Sequence, residues 1–180
     1  IYALSDRNYM VSINREEGTV VFGRAVAVKG LPVLGLEVYK DRLFSIIGNS
    51  LVEIDPAFGT ERSTTRLKFS AVCPAVRNSL YFYIGGGDRR VHILGAEDKI
   101  GVFRTSAEDE SRITSVIADE KFAIFSTDTG YVISVRADGQ ERLWKFKAGD
   151  GIVGPMIRDG ESLFFASKDT NVYRISVAGG

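Results

Sequence analysis

Few side chains in this sequence have the types and spacing that catalysis requires. His92 is the only histidine and Cys73 the only cysteine. A lone histidine does not by itself make a Ser-His-Asp triad, and it excludes a metal site with two histidine ligands. A single thiol excludes a disulfide within these residues and any redox or metal site that needs two cysteines. The sequence therefore predicts packing for His92 and nominates no catalytic, cofactor-binding or metal-binding residue.

Three glycines at positions 85–87 precede Asp88, Arg89 and Arg90. Such a run could cradle a phosphate, with the two arginines as counterions. A phosphate loop, however, needs a following helix whose N-terminus faces the anion, and here an apolar strand pattern follows. The interpretation that the pattern favours is a hairpin turn with two solvated arginines.

Acidic residues recur in two arrangements. Asp6, Asp88, Asp128 and Asp169 are separated by one or two whole repeats, unlike the alternate-residue spacing of a calcium loop, so turn stabilisation is predicted for them. A second group is concentrated in one connecting segment, where it forms either a solvated loop or a docking surface for a basic partner. Its members are Glu108, Asp109 and Glu110, with Glu97 and Asp98 nearby.

The elements that would carry these residues are set by an internal repeat. Successive members of one apolar position are 41, 40, 41 and 40 residues apart: Met10, Leu51, Val91, Val132 and Val172. A second position, three residues further on, holds Ile13, Ile54, Leu94, Val135 and Ile175. Equal units that each bury a face against the next must keep such a period.

Each unit alternates apolar and polar residues with a period of two, as in half-buried strands, and has turn residues between the strands. A third strand follows a Gly-containing turn, and a short leading strand precedes the first. Predicted leading strands are Leu36-Glu37-Val38, Cys73-Pro74-Ala75-Val76, Thr114-Ser115-Val116-Ile117 and Gly154-Pro155-Met156-Ile157. The predicted fold is all-β, a β-propeller whose blades are four-stranded antiparallel sheets.

The blade repeats are placed near residues 1–28, 29–69, 70–106, 111–147 and 150–177 of a single domain. Three blades are complete, the first lacks its innermost strand and the last its outermost. We therefore expect about four to five blades here, as part of a larger propeller. Because each repeat buries its apolar face on a neighbour, self-association is expected if the ring is incomplete.

The sequence resembles the quinoprotein-like (PQQ-repeat) β-propeller family, in which a Ser-Asp-Asp-Gly turn, a Thr-Gly turn and a Trp recur in every blade. The fullest matches run from Phe122 to Trp144 and from Leu43 to Glu61, with Phe22 and Phe103 as substitutes for the Trp in other blades. Residues assigned a structural role in the repeat are Trp144, Gly18, Gly59, Gly139 and Asp128.

The resemblance implies a ring of seven or eight blades and a periplasmic or extracellular location. It also implies a non-enzymatic scaffold, of the assembly-factor or sensor-domain type, that binds a protein or a ligand without a cofactor. The alternative is a fragment of a dehydrogenase that uses pyrroloquinoline quinone with calcium, a pair of adjacent cysteines and an acidic base. The single Cys73 departs from that pattern.

Balanced charge, with 23 basic and 23 acidic residues, disfavours nucleic acid as a partner. No apolar run approaches the roughly 20 residues of a membrane-spanning helix. A protein partner is expected instead. Phe58, in a turn with no strand face to fill, and Leu31 are candidate contact residues, although either could cap its own blade.

Overall fold

Five antiparallel sheets make up the computed structural model, which describes residues 1–5, 7–26 and 30–179. Asp6 and the predicted blade boundary at residues 28 and 29 lie outside the described residues. The chain divides into two compact units, residues 1–75 and 76–180. Within the described ranges, no helix is long and apolar enough to cross a membrane.

The first unit contains two blades. Blade 1 is the sheet β1 (Tyr2–Leu4), β2 (Tyr9–Ile13) and β3 (Val20–Ala25). Blade 2 is the sheet β4 (Val33–Tyr39), β5 (Arg42–Ile47), β6 (Ser50–Ile54) and β7 (Glu61–Arg66).

The second unit contains three blades. Blade 3 comprises β8 (Val76–Arg77), β9 (Tyr81–Gly85), β10 (Val91–Gly95) and β11 (Gly101–Thr105). Blade 4 comprises β12 (Ile113–Ala118), β13 (Phe122–Thr127), β14 (Tyr131–Arg136) and β15 (Arg142–Lys147). Blade 5 comprises β16 (Ile152–Asp159), β17 (Ser162–Ser167) and β18 (Val172–Ser176). The prediction of three four-stranded blades and two three-stranded ones is confirmed.

The predicted leading strand of blade 3 was wrong at three of its four residues. Only Val76 belongs to β8, which continues to Arg77 instead of including Cys73, Pro74 and Ala75. Proline has no N–H with which to join a ladder. Pro74 instead packs against the backbone of β4, where a Cβ on Gly35 would lie 2.6 Å from the Pro74 Cβ. The leading strands of blades 4 and 5 are longer than predicted, extending over β12 and β16.

A β-bulge recurs at one repeat position in the first four blades. The register against the outermost strand shifts between Ser12 and Ile13, and at the aligned pairs in the other three blades: Glu53 and Ile54, Ile93 and Leu94, Ser134 and Val135. A bulge adds one residue and increases the local twist. The outermost strand of each of these four blades is therefore turned relative to the two strands before it.

The cores lie between neighbouring blades. In the first unit, Met10 of β2 packs with Leu43, Val52 and Ile54 of blade 2. In the second, residues of blades 4 and 5 form one cluster: Ile124, Val132, Ala148, Ile152, Met156, Leu163, Phe165 and Val177. Burial of these faces on one another is the main stabilising contribution expected for a stack of repeats.

Candidate functional site

The turn that follows β6 holds Phe58 in a fixed backbone conformation. Asp55 Oδ1 accepts hydrogen bonds from the main-chain nitrogens of Ala57 (2.8 Å) and Phe58 (3.1 Å). Its other carboxylate oxygen accepts from Arg62 Nε at 2.9 Å and from Arg62 Nη2 at 2.7 Å. An aspartate that caps its own turn while pairing with an arginine across the sheet makes this loop rigid at both ends.

The carboxylate of Asp55 stays ionised in this setting. Desolvation raises its pKa, but the hydrogen bonds from Ala57, Arg62 and Phe58 outweigh that effect, so the pKa lies below its usual value. The turn is therefore held by a charged acceptor at neutral pH.

Two side chains of blade 1 also hold the backbone of this turn. Tyr2 Oη donates to the Pro56 carbonyl at 3.1 Å, and Arg24 Nη1 donates to the Phe58 carbonyl at 3.3 Å. Gly59 adopts a φ of +67°, and a Cβ there would lie 2.5 Å from Phe22 Cε2. Both the left-handed backbone and the close aromatic ring require glycine at this point.

Phe58 is nevertheless 68% exposed. The aligned positions in blades 1 and 3 hold Glu17 and Asp98. The turn of blade 1 is built in the same way, with Asn14 Oδ1 accepting from the nitrogens of Glu16 and Glu17. The turn therefore does not need an aromatic residue for its own structure. The exposed ring of Phe58 is accessible for contact with another molecule.

Leu31, the second predicted contact residue, is 43% exposed. It borders an open cavity of about 390 Å³ with Ser5, Asn8, Gly30, Pro32 and Val33. Asn8 Nδ2 donates to the Leu31 carbonyl at 2.7 Å, which ties this segment to blade 1. The cavity lies within the first unit. None of the described residues that line it carries an ionisable side chain.

The acidic segment before β12 is not a uniform negative surface. Glu108 accepts hydrogen bonds from Arg142 and from Lys145, the latter at 2.9 Å. These hydrogen bonds, with the charges of the same two cations, lower the pKa of Glu108 to about 2. The carboxylate is thus already matched by positive charge from β15.

The other two acidic residues of that segment differ from each other. Asp109 accepts from the hydroxyls of Ser111 (2.6 Å) and Thr129 (2.8 Å). Desolvation raises the pKa of Asp109, but the hydrogen bonds from Ser111 and Thr129 outweigh that effect, so the pKa lies below its usual value. Glu110 is exposed to solvent, and its Oε2 lies 4.0 Å from Arg89 Nη1. Of the three, Glu110 leaves most of its carboxylate accessible to a basic partner.

Three of the residues assigned to the repeat, Trp144, Gly59 and Gly139, lie where neighbouring blades meet. Trp144 Nε1 donates to the Val177 carbonyl of blade 5 at 2.9 Å. A Cβ on Gly139 would clash with Ile93 and lie 3.1 Å from Phe103 Cδ1. Phe22 and Phe103, proposed as substitutes for the repeat Trp, thus lie against the turn glycine of the following blade, at Gly59 and Gly139 respectively.

The polar residues that were interpreted as turn residues have local partners. The Gly-rich segment is a hairpin, closed by a hydrogen bond from Gly86 N to the Arg90 carbonyl at 2.7 Å. His92, only 8% exposed, is hydrogen-bonded through Nε2 to Asp88 at 2.9 Å. Burial lowers the pKa of His92 in spite of the Asp88 carboxylate, which raises it. Within the described residues, no three His, Cys, Asp or Glu side chains form a metal-binding group.

Two other hairpin aspartates bond to different partners. Asp128 Oδ1 accepts from Arg112 N at 2.9 Å, so it anchors the connection into its blade and does not cap its own turn. Asp169 accepts from Asn171 N within its hairpin and from Gly149 N in the preceding connection.

A tyrosine bridge between blades was missed by sequence reasoning. Tyr83 Oη donates to the Ala137 carbonyl at 2.6 Å, in the same relation as Tyr2 and Pro56. In both cases the donor precedes the acceptor by 54 residues. Tyr2 and Tyr83 share one repeat position, and that coincidence was the signal available in the sequence.

Solved structures of β-propeller proteins are similar to this chain over nearly its whole length. BamB from Moraxella catarrhalis is 12% identical with a TM-score of 0.75, over 94% of this chain and 53% of that one. A chain of the mitotic checkpoint complex is 18% identical with a TM-score of 0.77, over 96% and 56%. The Cps50 (Swd1) β-propeller domain from Myceliophteria thermophila is 14% identical with a TM-score of 0.75, over 98% and 61%.

This chain spans between half and two thirds of the length of those three structures. No family model matches the sequence, and no curated protein matches it. At these identities the likeness establishes the fold, which is that of all-β propeller blades.

Proposed function

We propose that this chain is a non-enzymatic protein-binding scaffold and that a partner docks on the Phe58 turn. The observation that carries the proposal is that Phe58 is 68% exposed on a turn whose backbone is held from both sides. Binding energy at protein interfaces is concentrated in a few residues, aromatic ones prominent among them, that enter pockets on the partner. A rigid turn reduces the entropy lost on binding.

The surroundings of the ring define the partner's chemistry. Arg24 and Arg62 flank the turn, and the Arg62 guanidinium already bonds Asp55. A partner would therefore offer an apolar pocket for Phe58 with a carboxylate at its rim for Arg24. We also propose that the chain is a member of the PQQ-repeat family and has a periplasmic or extracellular location, as the sequence resemblance implies.

Peptide selection tests this function without a known partner. A random peptide library displayed on phage is selected on the folded 180-residue chain, and the affinities of the selected peptides are measured by fluorescence anisotropy. We expect Phe58→Ala to weaken the selected peptides at least tenfold. Leu80→Ala, which removes another exposed apolar side chain (63% exposed), is the matched control and should leave them unchanged.

Either of two results would contradict the proposal. One is a selection that enriches no peptide whose affinity depends on Phe58. The other is an equal loss of affinity in the Leu80 control, which would indicate nonspecific adhesion to exposed apolar residues. Circular dichroism on each variant checks that the sheets remain intact.

A further inference from the structure

The outermost strand of blade 4 carries three cations on one face, which we name the cationic rim. Arg142, Lys145 and Lys147 pair with alternate residues of β14, and alternate residues of a strand project on the same side of the sheet. β15 contains no acidic residue. The aligned positions of the outermost strands in blades 1 to 3 hold at most one cation per blade: Val20, Gly23 and Ala25; Glu61, Thr64 and Arg66; Gly101, Arg104 and Ser106. The repeat therefore folds without this concentration of positive charge.

The cationic rim borders the junction between blades 3 and 4, which belong to the same unit. A Cβ on Gly139 of blade 4 would meet the side chains of Ile93 and Phe103 of blade 3, so the two sheets are packed together at this point. Ile133 and Val135, in the central strand of the same face, are buried. The cations of β15 thus lie on the part of this face that stays accessible after the two blades have packed.

One carboxylate already occupies part of the rim. Glu108, in the connection between the two blades, accepts hydrogen bonds from Arg142 and from Lys145, the latter at 2.9 Å. These bonds lower the pKa of Glu108 to about 2, so the group is ionised at neutral pH. Its side chain is nevertheless 63% exposed. Because exposed ion pairs contribute little to stability, a carboxylate of another molecule can replace Glu108 at small cost.

The third cation of the rim has no such counterion. Lys147 Nζ donates to the Thr129 carbonyl, and within the described ranges no carboxylate forms an ion pair with it. Asp109, the nearest acidic residue by its bonding, accepts from the Thr129 hydroxyl instead. The ammonium groups of Lys145 and Lys147 lie 5.2 and 4.7 Å from the centroid of the same ring, that of Tyr131. Two like charges brought together in this way favour a bound anion.

Apolar surface adjoins the other end of the rim. Arg142 and Leu143 both oppose Val135 at the β-bulge, and Leu143 is 48% exposed. Phe103, which reaches the turn of Gly139 from blade 3, is 38% exposed. A ligand for this surface would therefore combine negative charge with an apolar side chain.

The strand geometry defines the spacing of those groups. β15 is the last strand of its sheet, so its outer edge is available for an added strand. Lys145 and Lys147 are two residues apart on one face, which is about 7 Å along a strand. In an extended peptide paired with this edge, carboxylates at alternate positions would lie opposite these two lysines.

We propose that the cationic rim binds an extended acidic segment of a partner protein, one of whose carboxylates replaces Glu108 while a second, two residues away, pairs with Lys147. An apolar side chain of the same segment packs on Leu143 and Phe103. Glu108 holds the site in the absence of the partner. The rim uses no residue of the Phe58 turn, and it therefore stands or falls separately from the partner site proposed above.

Synthetic peptides test the proposal. The probes are fluorescein-labelled peptides of about nine residues, with glutamate at two alternate positions, one apolar residue beside them and the other positions varied; binding to the folded chain is followed by fluorescence anisotropy. We expect Lys147→Glu to weaken the tightest peptide at least tenfold, because it places like charges together. Arg66→Glu makes the same change of charge at the aligned position of blade 2 and is the matched control. It should change the affinity less than twofold.

A second pair of variants tests the role of Glu108. Glu108→Gln removes the competing carboxylate, so we expect it to tighten peptide binding at least threefold. Glu141→Gln removes the same charge from the same blade, but the Glu141 carboxylate bonds Arg136, at 2.9 Å, and not the rim. This control should not tighten binding. Circular dichroism on each variant checks that the sheets remain intact.

Four results would overturn the proposal. The first is a set of probes in which no peptide binds. The second is an affinity that Lys147→Glu or Glu108→Gln leaves unchanged, and the third is an equal loss in the Arg66 control. The fourth is a single-stranded oligonucleotide that binds as tightly as the best peptide, which would indicate a general preference for polyanions. Phe58→Ala should leave these peptides unaffected, so the failure of one site is distinguishable from the failure of the other.

Discussion

The hydroxyl of Tyr83 in blade 3 donates a 2.6 Å hydrogen bond to the carbonyl of Ala137 in blade 4. The same hydroxyl accepts from Asn78 Nδ2 at 2.8 Å. Burial raises the pKa of Tyr83, which keeps the phenol neutral and able to donate. Because Tyr2 and Pro56 repeat this bridge in the first unit, the neighbouring blades are joined by polar contacts as well as by apolar burial.

Removing that hydroxyl should lower stability without changing the fold. Tyr83→Phe deletes the donor to Ala137 and leaves Asn78 without one acceptor, and we expect a loss of about 1–2 kcal/mol in the free energy of unfolding. Urea denaturation followed by circular dichroism measures it. Tyr81→Phe, in the same strand, is the control and should change stability by less than about 0.5 kcal/mol. Equal effects of the two substitutions would contradict a role for the bridge.

Two turn glycines should differ in their tolerance of alanine. Gly139→Ala adds a methyl group where Ile93 lies and also strains a φ of +78°, so we expect a loss of about 2–4 kcal/mol. Gly18→Ala imposes similar backbone strain at +68° but meets no atom within 4 Å, so about 1–2 kcal/mol is expected. The comparison is made by thermal unfolding at low protein concentration. A cost at Gly18 as large as that at Gly139 would mean that blade packing does not constrain Gly139.

Acid should break the ion pairs that Glu108 forms with Arg142 and Lys145. The hydrogen bonds from Arg142 and Lys145 lower the pKa of Glu108 from 4.5 to about 2. A carboxylate with a depressed pKa in the folded state stabilises above its unfolded pKa, and this contribution is lost as the pH falls from about 4.5 to about 2.

Glu108→Gln should therefore reduce the dependence of stability on pH within that interval, and added salt should reduce the difference from the unsubstituted chain. Urea denaturation at pH 7, 4 and 3 is the measurement. Glu110→Gln, in the same segment, is the control and should retain the pH dependence. If the unsubstituted chain and Glu108→Gln lose stability in parallel below pH 4.5, Glu108 is not the responsible group.

Pyrroloquinoline quinone with calcium should not stabilise this chain. A ligand that binds only the folded state raises the melting temperature as its concentration increases. We expect no saturable shift and no change in the quinone absorbance. A clear shift would contradict the scaffold proposal and favour the dehydrogenase alternative.

Local sequence patterns were sufficient to predict the blades. The 40–41-residue period, the alternation within strands and the turn residues are all local features, and they predicted the hairpins and the strand count of every sheet. The exposure of Phe58 was also predictable, because this residue lies in a turn with no strand face to fill, and Leu31, the other candidate, is exposed as well. The prediction of the leading strand of blade 3 failed because Pro74 packs on Gly35, a residue 39 positions away in the chain.

The contacts between distant groups of neighbouring blades, by contrast, depend on the tertiary fold. Glu108 was predicted as an acidic surface residue, yet its cations are 34 and 37 residues further along the chain. Trp144 was assigned a structural role in the repeat, but its acceptor at Val177 was not predictable. Strand pairing within a blade depends on neighbouring residues, whereas these contacts depend on the recurring bulge that turns each outermost strand and on the packing of one sheet against the next.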